Sequence, residues 1–369
     1  MKAFALAAFF ALAALSTRVL GSWGLKLGPL ANALVQMELG ESYLGALSMN
    51  TQGPDDATML TLLEHGTPYQ KEKFLKPLLN GDKRICYSMT EKVSGADATG
   101  MQTRAEKKGN DRYVLNGEKW FSSAASVADI ALVMAKTDPD APRHQQFSTF
   151  LVELPNPGYR IKRNIPTMAL EGPLSHILGG GHAEIEIDNL EVPAENLLGG
   201  EGKGFAMGQH RLAYGRLRHG MHNVAMAQRA LDMAAKHVTT RTTFGKKLDE
   251  RQAVQFMLAD CASELYIARL MLMHIAYKAE NKMDIRQENG IAKVFLAHMV
   301  HKVVDTAIQL HGALGYSRDL PLAAWYTHIR SQRLVDGPDE VHRWTTGRNV
   351  IKAYKAHGTT ASACGGDLL

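Results

Sequence analysis

The chain has 369 residues, of which 45% are hydrophobic, with a formal net charge of +5 and three cysteines. This length allows one long domain or several ordinary ones, and a mild charge without any block of Lys and Arg interleaved with aromatic residues argues against nucleic-acid binding. Three widely spaced cysteines exclude a disulfide framework and a zinc knuckle, so the composition is typical of a reduced intracellular protein.

Residues 1–23 form an apolar leader whose role the sequence leaves open. The segment has one Lys, an apolar run about as long as a signal-peptide core, and small residues after it. The run is too short to predict a membrane span. Three interpretations remain: a secretory signal, an apolar helix packed on the core, and an incorrectly assigned start of the reading frame.

The rest of the chain divides into three segments that differ in the spacing of their apolar residues. Residues 24–83 carry apolar residues at three- and four-residue spacing, which predicts an N-terminal helical domain. Residues 84–200 consist of short alternating runs such as RYVLNGEKWFSS, which predict a middle antiparallel β domain. Residues 201–356 return to long periodic helices lined by Ala, Leu and Met, as a four-helix-bundle-like C-terminal domain requires. The predicted fold class is therefore α+β, with a disordered tail at residues 357–369.

The stretch RLVDGPDEVHRW contains three carboxylates that differ in their local explanation. A Gly-Pro pair does not fit inside a helix, so Asp336 is predicted to lie in a turn. Asp339 and Glu340 fall in the first turn of the helix that follows, where negative charge is favoured anyway. Turn aspartates are common, but Asp336 is the carboxylate without a local structural explanation, and it is the candidate for chemistry.

Fifteen histidines raise the question of a metal site. His219 and His222 are one helical turn apart and could share a face. Because no carboxylate or thiolate joins them at ligand spacing, we predict no metal site.

Several motifs in order resemble the acyl-CoA dehydrogenase family. They are CYSMTEKVSGAD at the first domain boundary, NGEKWFSS inside the β domain, LEVPAENLLGGEGKGF at the second boundary, and RTTFGKKLDERQAVQFMLAD and QLHGALGYSRDLPLAAWY in the helical part. The resemblance runs from about residue 24 to the last helix. The segments DGPDEVH and GRLRHGM correspond to two further motifs of the family and are similar to the forms that these motifs take in family members ten and eleven.

The resemblance implies an FAD-dependent reaction that oxidises the Cα–Cβ bond of an acyl-CoA thioester to a trans-2-enoyl-CoA. A base removes the α-proton while the β-hydrogen leaves as hydride to the flavin N5. In most of the family the base is a Glu at the position that Asp336 matches. A minority carries the base directly before the Arg that matches Arg216, where this chain has Gly215. Because Asp is one methylene shorter than Glu, we hypothesise a pocket for acyl groups that are bulky near Cα–Cγ.

The resemblance also implies a set of FAD-binding residues. Phe121 matches an aromatic residue, usually Trp, that packs against the flavin, and Ser123 matches a Thr that hydrogen-bonds N5. The loop from Gln309 to Gly312 matches one that reaches the FAD of a neighbouring subunit, which implies at least a homodimer and allows a homotetramer. The complete implied set is Tyr87, Met89, Thr90, Phe121, Ser123, Arg241, Phe244, Gln252, Gln309, Gly312 and Glu340. For Glu340, helix capping is an equally good interpretation.

The residues implied for acyl-CoA binding are Ala96, Arg216, Gly337 and Arg348. Ala96 replaces a Ser of the family, so that contact is either lost or supplied by Ser94. The family also implies a role in fatty-acid β-oxidation and an electron-transfer flavoprotein as a possible electron acceptor.

Two alternatives to this enzyme remain. Several dozen residues that open the family's first domain have no counterpart here, which favours a non-catalytic family-like scaffold. A flavin oxidase or monooxygenase could use the same fold. Since a secreted enzyme would lack FAD and CoA, the expected location is the cytoplasm or an organelle matrix. This location favours interpreting residues 1–23 as a packed apolar helix or an incorrectly assigned start over a secretory signal.

Overall fold

The computed structural model describes residues 27–42, 45–168 and 181–365. The leader predicted at residues 1–23 lies outside the described residues. The described chain groups into two compact units. The sheet unit consists of residues 46–167 and 181–212, and the helical unit consists of residues 27–42, 45, 168 and 213–365. This grouping divides the residues predicted as an N-terminal domain between the two units, and the predicted three-domain boundaries stay a prediction.

The sheet unit begins with helices. These are α2 (Asp55–His65) and a helical segment made of Pro68–Gln70, a π-helical turn at Lys71–Leu75, and Lys76–Leu79. Thr67 starts the second segment, because its side chain accepts a hydrogen bond from the Gln70 amide while the Gln70 side chain accepts one from the Thr67 amide. This reciprocal cap, with Pro68 in the first helical position, fixes where the segment begins.

Among the residues that the structure describes, eight strands form one sheet. The strands are β1 (Ile85–Ser88), β2 (Arg104–Lys108), β3 (Arg112–Ser123), β4 (Ile130–Lys136), β5 (Phe147–Glu153), β6 (Tyr159–Asn164), β7 (His182–Pro193) and β8 (Leu197–Leu198). Their order in the sheet is β6-β7-β3-β2-β4-β5-β8, with β1 also paired to β4. Most pairs are antiparallel, but β1 and β2 both run parallel to β4. The predicted α+β class is confirmed, and the sheet is mixed where an antiparallel one was predicted.

Strand β4 explains why this part of the sheet is apolar throughout. Its first six residues are buried, because β4 has strand neighbours on both sides and both of its faces are covered. Ile130 and Leu132 pack with Leu62 of α2, whereas Ala131 and Val133 belong to the cluster on the other face. Because side chains alternate between the two faces of a strand, β4 contributes residues to two hydrophobic clusters.

The helical unit contains the long helices predicted from the periodicity. Its longer helices are α1 (Pro29–Leu39), α3 (Gly204–Thr240), α4 (Gln252–Glu280), α5 (Arg286–His311), α6 (Leu322–Ile329) and α7 (Asp339–His357), with a β9 (Thr242–Thr243) and β10 (Lys246–Lys247) hairpin between α3 and α4. Helix α3 begins in the sheet unit and passes into the helical unit after Leu212. Gly220 of α3 allows close packing, because a Cβ there would lie 2.7 Å from Leu296 and 2.9 Å from Leu272.

The end of the chain differs from the disordered tail predicted for residues 357–369. Helix α7 ends at His357, and a short 3-10 helix follows at Ala361–Cys364. Ala363 is buried, and its carbonyl accepts a hydrogen bond of 2.9 Å from the Gln287 side chain. Packing against α5 therefore gives this segment a defined structure. Residues 366–369 lie outside the described part.

Within the described residues, no helix is both long and apolar enough to cross a membrane.

Candidate functional site

Asp336 lies in a tight turn between a 3-10 helix (Arg330–Arg333) and α7, as the Gly-Pro pair predicts. Asp336 has a φ of +52° and Gly337 has a φ of +95°. Positive φ is uncommon for residues other than Gly and is tolerated best by Asn and Asp. Two side chains hold the turn through the Asp336 carbonyl, since Arg216 Nε donates to it at 2.7 Å and His342 Nε2 lies 3.1 Å from it.

The carboxylate of Asp336 faces α3. Its Oδ2 lies 3.6 Å from His219 Nε2, and a Cβ added to Gly215 would lie 2.9 Å from the same oxygen. The side chain of Asp336 is 19% exposed, so it is partly shielded but reaches a pocket. Both polar and apolar residues line this pocket. Its lining consists of Arg216, His219, Gly220, Asn223, Lys293, Leu296, Gln332, Val335 and Asp336.

Burial affects the ionisable groups around this pocket. It lowers the pKa of Arg216, an effect that the negative charge of Asp336 partly offsets. Burial, reinforced by the Arg216 charge, also lowers the pKa of His342. A neutral His342 that donates to the Asp336 carbonyl must carry its hydrogen on Nε2. Burial lowers the pKa of Lys293 as well, against the opposing effect of Asp339.

Asp339 anchors the start of α7 in a way that its helix position alone does not predict. Its buried carboxylate accepts hydrogen bonds from Arg333 Nε at 2.8 Å and Lys293 Nζ at 3.2 Å, and His298 Nε2 lies 3.0 Å away. Burial raises the pKa of Asp339, but these three partners outweigh it and leave the pKa below its ordinary value. Asp339 thus connects the turn that holds Asp336 to α5.

Replacing Asp339 with Asn is expected to destabilise the protein by about 2–4 kcal/mol, because the buried Lys293 and the nearby Arg333 lose their counter-charge. Since the folded pKa of Asp339 is lowered, its stabilisation is present above the unfolded pKa of about 4 and is lost as the pH falls through the folded value. Urea denaturation at pH 7 and at pH 3.5 measures both effects. If the variant and the wild type lose the same stability between the two pH values, Asp339 is not the titrating group.

Three predicted FAD residues lie on or directly after β1. The Tyr87 ring packs under the Arg211 guanidinium at 4.0 Å, and its hydroxyl donates to Met89 Sδ at 3.3 Å. The Thr90 carbonyl accepts a hydrogen bond of 2.7 Å from the Trp120 amide of β3. Tyr87 and Thr90 are half-buried, which leaves part of each side chain accessible.

Phe121 and Ser123 come together with a residue that the sequence did not indicate. The β3–β7 pairing is irregular between Lys119 and Ser122, and Phe121 there has a φ of +57° and is 42% exposed. His182 contacts both, since its ring centroid lies 5.6 Å from that of Phe121 and its Nδ1 lies 2.8 Å from Ser123 Oγ. The irregularity therefore exposes an aromatic face beside a hydroxyl.

The remaining predicted FAD residues of the helical unit are exposed. Phe244 lies in the β9–β10 turn with a φ of +49° and is 99% exposed. The stacked rings of His237 and His311, 4.4 Å apart, join the ends of α3 and α5, from which Arg241 and Gly312 respectively follow. Exposure is what a site shared between subunits requires, and the oligomeric state stays a prediction. Arg241, Gln252, Gln309, Gly312 and Glu340 are also exposed.

The residues predicted to bind acyl-CoA are only partly brought together. Arg216 and Gly337 are adjacent, because Arg216 holds the turn in which Gly337 lies. Arg348 is exposed further along α7, with its guanidinium 4.8 Å from the Trp344 ring. Ala96 is exposed in the loop after β1. Ser94 is buried and donates to the Asp97 carbonyl at 2.5 Å, so it does not present a free hydroxyl in place of the missing Ser.

Sequence reasoning missed His219, His342 and Lys293 as parts of the Asp336 site. His219 was considered together with His222, but the two have different partners: His222 Nε2 lies 2.9 Å from Gln36 Oε1 of α1. Burial lowers the pKa of His222 well below its ordinary value. The one available signal for His219 is its helical spacing from Gly215 and Arg216.

Known proteins share both parts of the chain. The family model for the acyl-CoA dehydrogenase middle domain matches residues 86–178, and the one for the C-terminal domain matches residues 202–351. The structure of butyryl-CoA dehydrogenase from Megasphaera elsdenii superposes with a TM-score of 0.80 at 30% identity, covering 88% of this chain and 82% of that one. The fold is therefore that of the acyl-CoA dehydrogenases.

Known proteins are also similar to this chain in amino-acid sequence. The "Probable acyl-CoA dehydrogenase FadE2" of Mycobacterium tuberculosis is 38% identical over 84% of this chain and 75% of its own length. Acyl-CoA dehydrogenase family member 11 of Gallus gallus is 38% identical over 89% of this chain, and family member 10 of Mus musculus is 37% identical over 85%. The chain belongs to the acyl-CoA dehydrogenase family, and its resemblance to members ten and eleven is confirmed. It spans 43% of the chicken protein and 29% of the mouse protein.

Proposed function

We propose that this protein is an FAD-dependent oxidoreductase that oxidises the Cα–Cβ bond of an acyl-CoA thioester to a 2-enoyl-CoA, with Asp336 as the base. The observation that carries the proposal is the Asp336 turn. Its carbonyl is fixed by Arg216 and His342, while its carboxylate points into a pocket. A turn aspartate with a purely local role would not need a fixed carbonyl and a pocket-facing carboxylate.

The turn performs two tasks in this reaction. Asp336 accepts the α-proton, and the hydrogen bonds to its carbonyl hold the carboxylate in one place, because a reacting group displaced by about 1 Å loses on the order of a hundredfold in rate. The positive charges of Arg216 and Lys293 line the same pocket and favour negative charge that develops on the substrate.

The side chains of the sheet unit fit a flavin. An exposed aromatic face at Phe121 suits the isoalloxazine ring, and Ser123 can donate from its hydroxyl when His182 Nδ1 carries the hydrogen that joins them. When bound, FAD supplies the acceptor for the β-hydride. We extend the proposal to the other implied FAD residues, to at least a homodimer, to an electron-transfer flavoprotein as electron acceptor, and to a cytoplasmic or organelle-matrix location.

Anaerobic addition of acyl-CoA thioesters to the purified protein tests the proposal. We expect the flavin absorbance near 450 nm, a typical flavin band, to bleach as the cofactor is reduced. A yellow protein that no acyl-CoA bleaches, or a protein purified without flavin that does not take up FAD, would contradict the proposed function and support a non-catalytic scaffold. Rapid reoxidation by oxygen in the absence of any other acceptor would instead support an oxidase.

The short side chain of Asp336 leads to a prediction about the substrate. Because Asp336 lacks one methylene relative to Glu and Gly215 leaves space beside it, acyl groups that are bulky near Cα–Cγ are expected to be reduced faster than short straight chains. A panel of acyl-CoA thioesters that differ only in substitution near these carbons measures the order. Fastest reduction by short straight chains would contradict the prediction.

Replacing Gly215 with Ala is expected to slow flavin reduction roughly 10- to 100-fold, because the new Cβ displaces the Asp336 carboxylate. Stability is expected to change little, since the clash is with the end of a side chain. The control is Gly347→Ala, a glycine of α7 whose added Cβ would contact nothing within 4 Å. If both variants reduce flavin at the wild-type rate, the Asp336 carboxylate does not need the position that the structure shows.

A further inference from the structure

The carboxylate of Asp336 lies opposite a histidine across an open space on α3. Residues three and four apart on a helix are neighbours, so Gly215, Arg216 and His219 share one face. Gly215 contributes no side chain, and a Cβ there would lie 2.9 Å from Asp336 Oδ2. His219 Nε2 lies 3.6 Å from the same oxygen. Gly215 therefore leaves the carboxylate room to face the imidazole.

The contacts of Asp336 separate the roles of its neighbours. Arg216 Nε and His342 Nε2 both approach the backbone carbonyl, at 2.7 and 3.1 Å. His219 approaches the carboxylate instead. Removing Arg216 or His342 therefore disturbs the turn, whereas removing His219 changes the surroundings of the reacting oxygens.

His219 lies between the Asp336 carboxylate and solvent. Its side chain is 31% exposed, compared with 19% for Asp336, so the imidazole is the more solvent-accessible partner. Imidazole is also the side chain whose ordinary titration falls in the physiological pH range. A proton on Asp336 thus has a neighbouring acceptor that water reaches.

Charged and titratable groups of three helices lie near His219. Arg216 of α3 and Lys293 of α5 line the same pocket, and His222 follows one turn along α3. His342 of α7 lies on the far side of the Asp336 turn. Positive charge on Arg216 and Lys293 opposes a proton on His219, and the Asp336 carboxylate favours one.

We propose that His219 is a positioning residue for Asp336 that takes over the proton which Asp336 removes from the substrate, an inference that rests on the proposed function. The α C–H bond breaks, its proton bonds to an Asp336 oxygen, and its electron pair forms the Cα=Cβ bond as the β-hydride leaves to the flavin acceptor of the proposed function. The O–H bond of Asp336 then breaks as an N–H bond forms on neutral His219. Asp336 is again a carboxylate, and the imidazolium releases the proton to water.

The pH dependence of turnover with an added one-electron dye as acceptor tests this role in the wild type and in His219→Gln. Turnover of the wild type is expected to fall on the acidic side as His219 becomes protonated and can no longer take up a proton. The variant lacks this imidazole, so we expect its acidic midpoint to lie lower by about one pH unit or more. Turnover at pH 8 is expected to fall about tenfold, because the proton acceptor is missing.

The matched control is His342→Gln, which removes a histidine that contacts Asp336 only through its carbonyl. It is expected to lower turnover by a similar factor at every pH and to leave the acidic midpoint in place. An unchanged midpoint in His219→Gln, or an equal shift in both variants, would overturn the inference. Both variants are first checked for the wild-type flavin spectrum and circular dichroism. If His219→Gln does not fold, His219→Asn replaces it.

Failure of this inference can be distinguished from failure of the proposed function. If no acyl-CoA bleaches the wild-type flavin, the proposed function is wrong, and the role of His219 that rests on it is wrong as well. If the wild type is reduced and turns over but its acidic midpoint does not depend on His219, the dehydrogenase function is supported and only the role of His219 is wrong.

Discussion

Replacing Asp336 with Asn is expected to slow flavin reduction by acyl-CoA on the order of a thousandfold. Asn keeps the shape of the side chain but cannot accept the α-proton, and general-base catalysis contributes roughly 10²–10⁴-fold. The carbonyl that Arg216 and His342 hold belongs to the backbone, so the turn is expected to form in the variant. Rapid anaerobic mixing, followed at the flavin absorbance, measures the rate.

The control is Asp319→Asn, which makes the same change at an exposed aspartate of the helical unit. It is expected to be reduced at the wild-type rate. Binding is measured separately, as the shift of the flavin spectrum on adding the product enoyl-CoA, and is expected to survive in Asp336→Asn. Reduction of Asp336→Asn within a few-fold of the wild-type rate would show that another group is the base.

The second large effect is expected on stability. Lys119 of β3 is fully buried, and its Nζ donates to Glu91 Oε1 at 2.8 Å and to the Met89 carbonyl at 3.0 Å. Glu91 also accepts from the backbone amides of Gln102 and Thr103. Burial raises the pKa of Glu91, but Lys119 and these amides outweigh it and keep the pKa below its ordinary value. The pair ties the loop after β1 to the sheet.

Replacing Lys119 with Met is expected to cost about 3–5 kcal/mol, because it leaves the Glu91 carboxylate buried without its counter-charge. Urea denaturation followed by Trp120 fluorescence measures the change. Adding Glu91→Gln to the variant is expected to restore part of the loss, since it removes the uncompensated charge. In the wild type the contribution of Glu91 is present above pH of about 4.5 and is lost as the pH falls through its lowered pKa.

Lys108→Met serves as the matched control. Lys108 forms an ion pair of 2.9 Å with Glu106 in the same sheet, but both side chains are more than half exposed. Solvent screens such a pair, and its loss is expected to cost less than about 1 kcal/mol. An equal loss in the two Met variants would show that burial does not set the strength of the Lys119 pair.

Local rules were sufficient for the elements of the fold. Three- and four-residue periodicity predicted the long helices α3, α4 and α5, because a buried helix face must repeat with the helical turn. The Gly-Pro pair predicted the Asp336 turn, because proline cannot continue a helix. The β-rich middle was predicted from alternation, but its parallel pairings were not, because strand order depends on contacts between distant segments.

The candidate site was only half determined by the sequence itself, with the resemblance supplying the rest. The sequence singled out Asp336 because no local rule accounted for it, and assigned Asp339 to the start of a helix. Only the tertiary structure made Asp339 the partner of Lys293, 46 positions away, and placed His219 opposite Asp336, 117 positions away. Local sequence sets the conformation of each turn and helix through backbone sterics and periodicity. The charges that a carboxylate meets are decided by packing between helices that are distant along the chain.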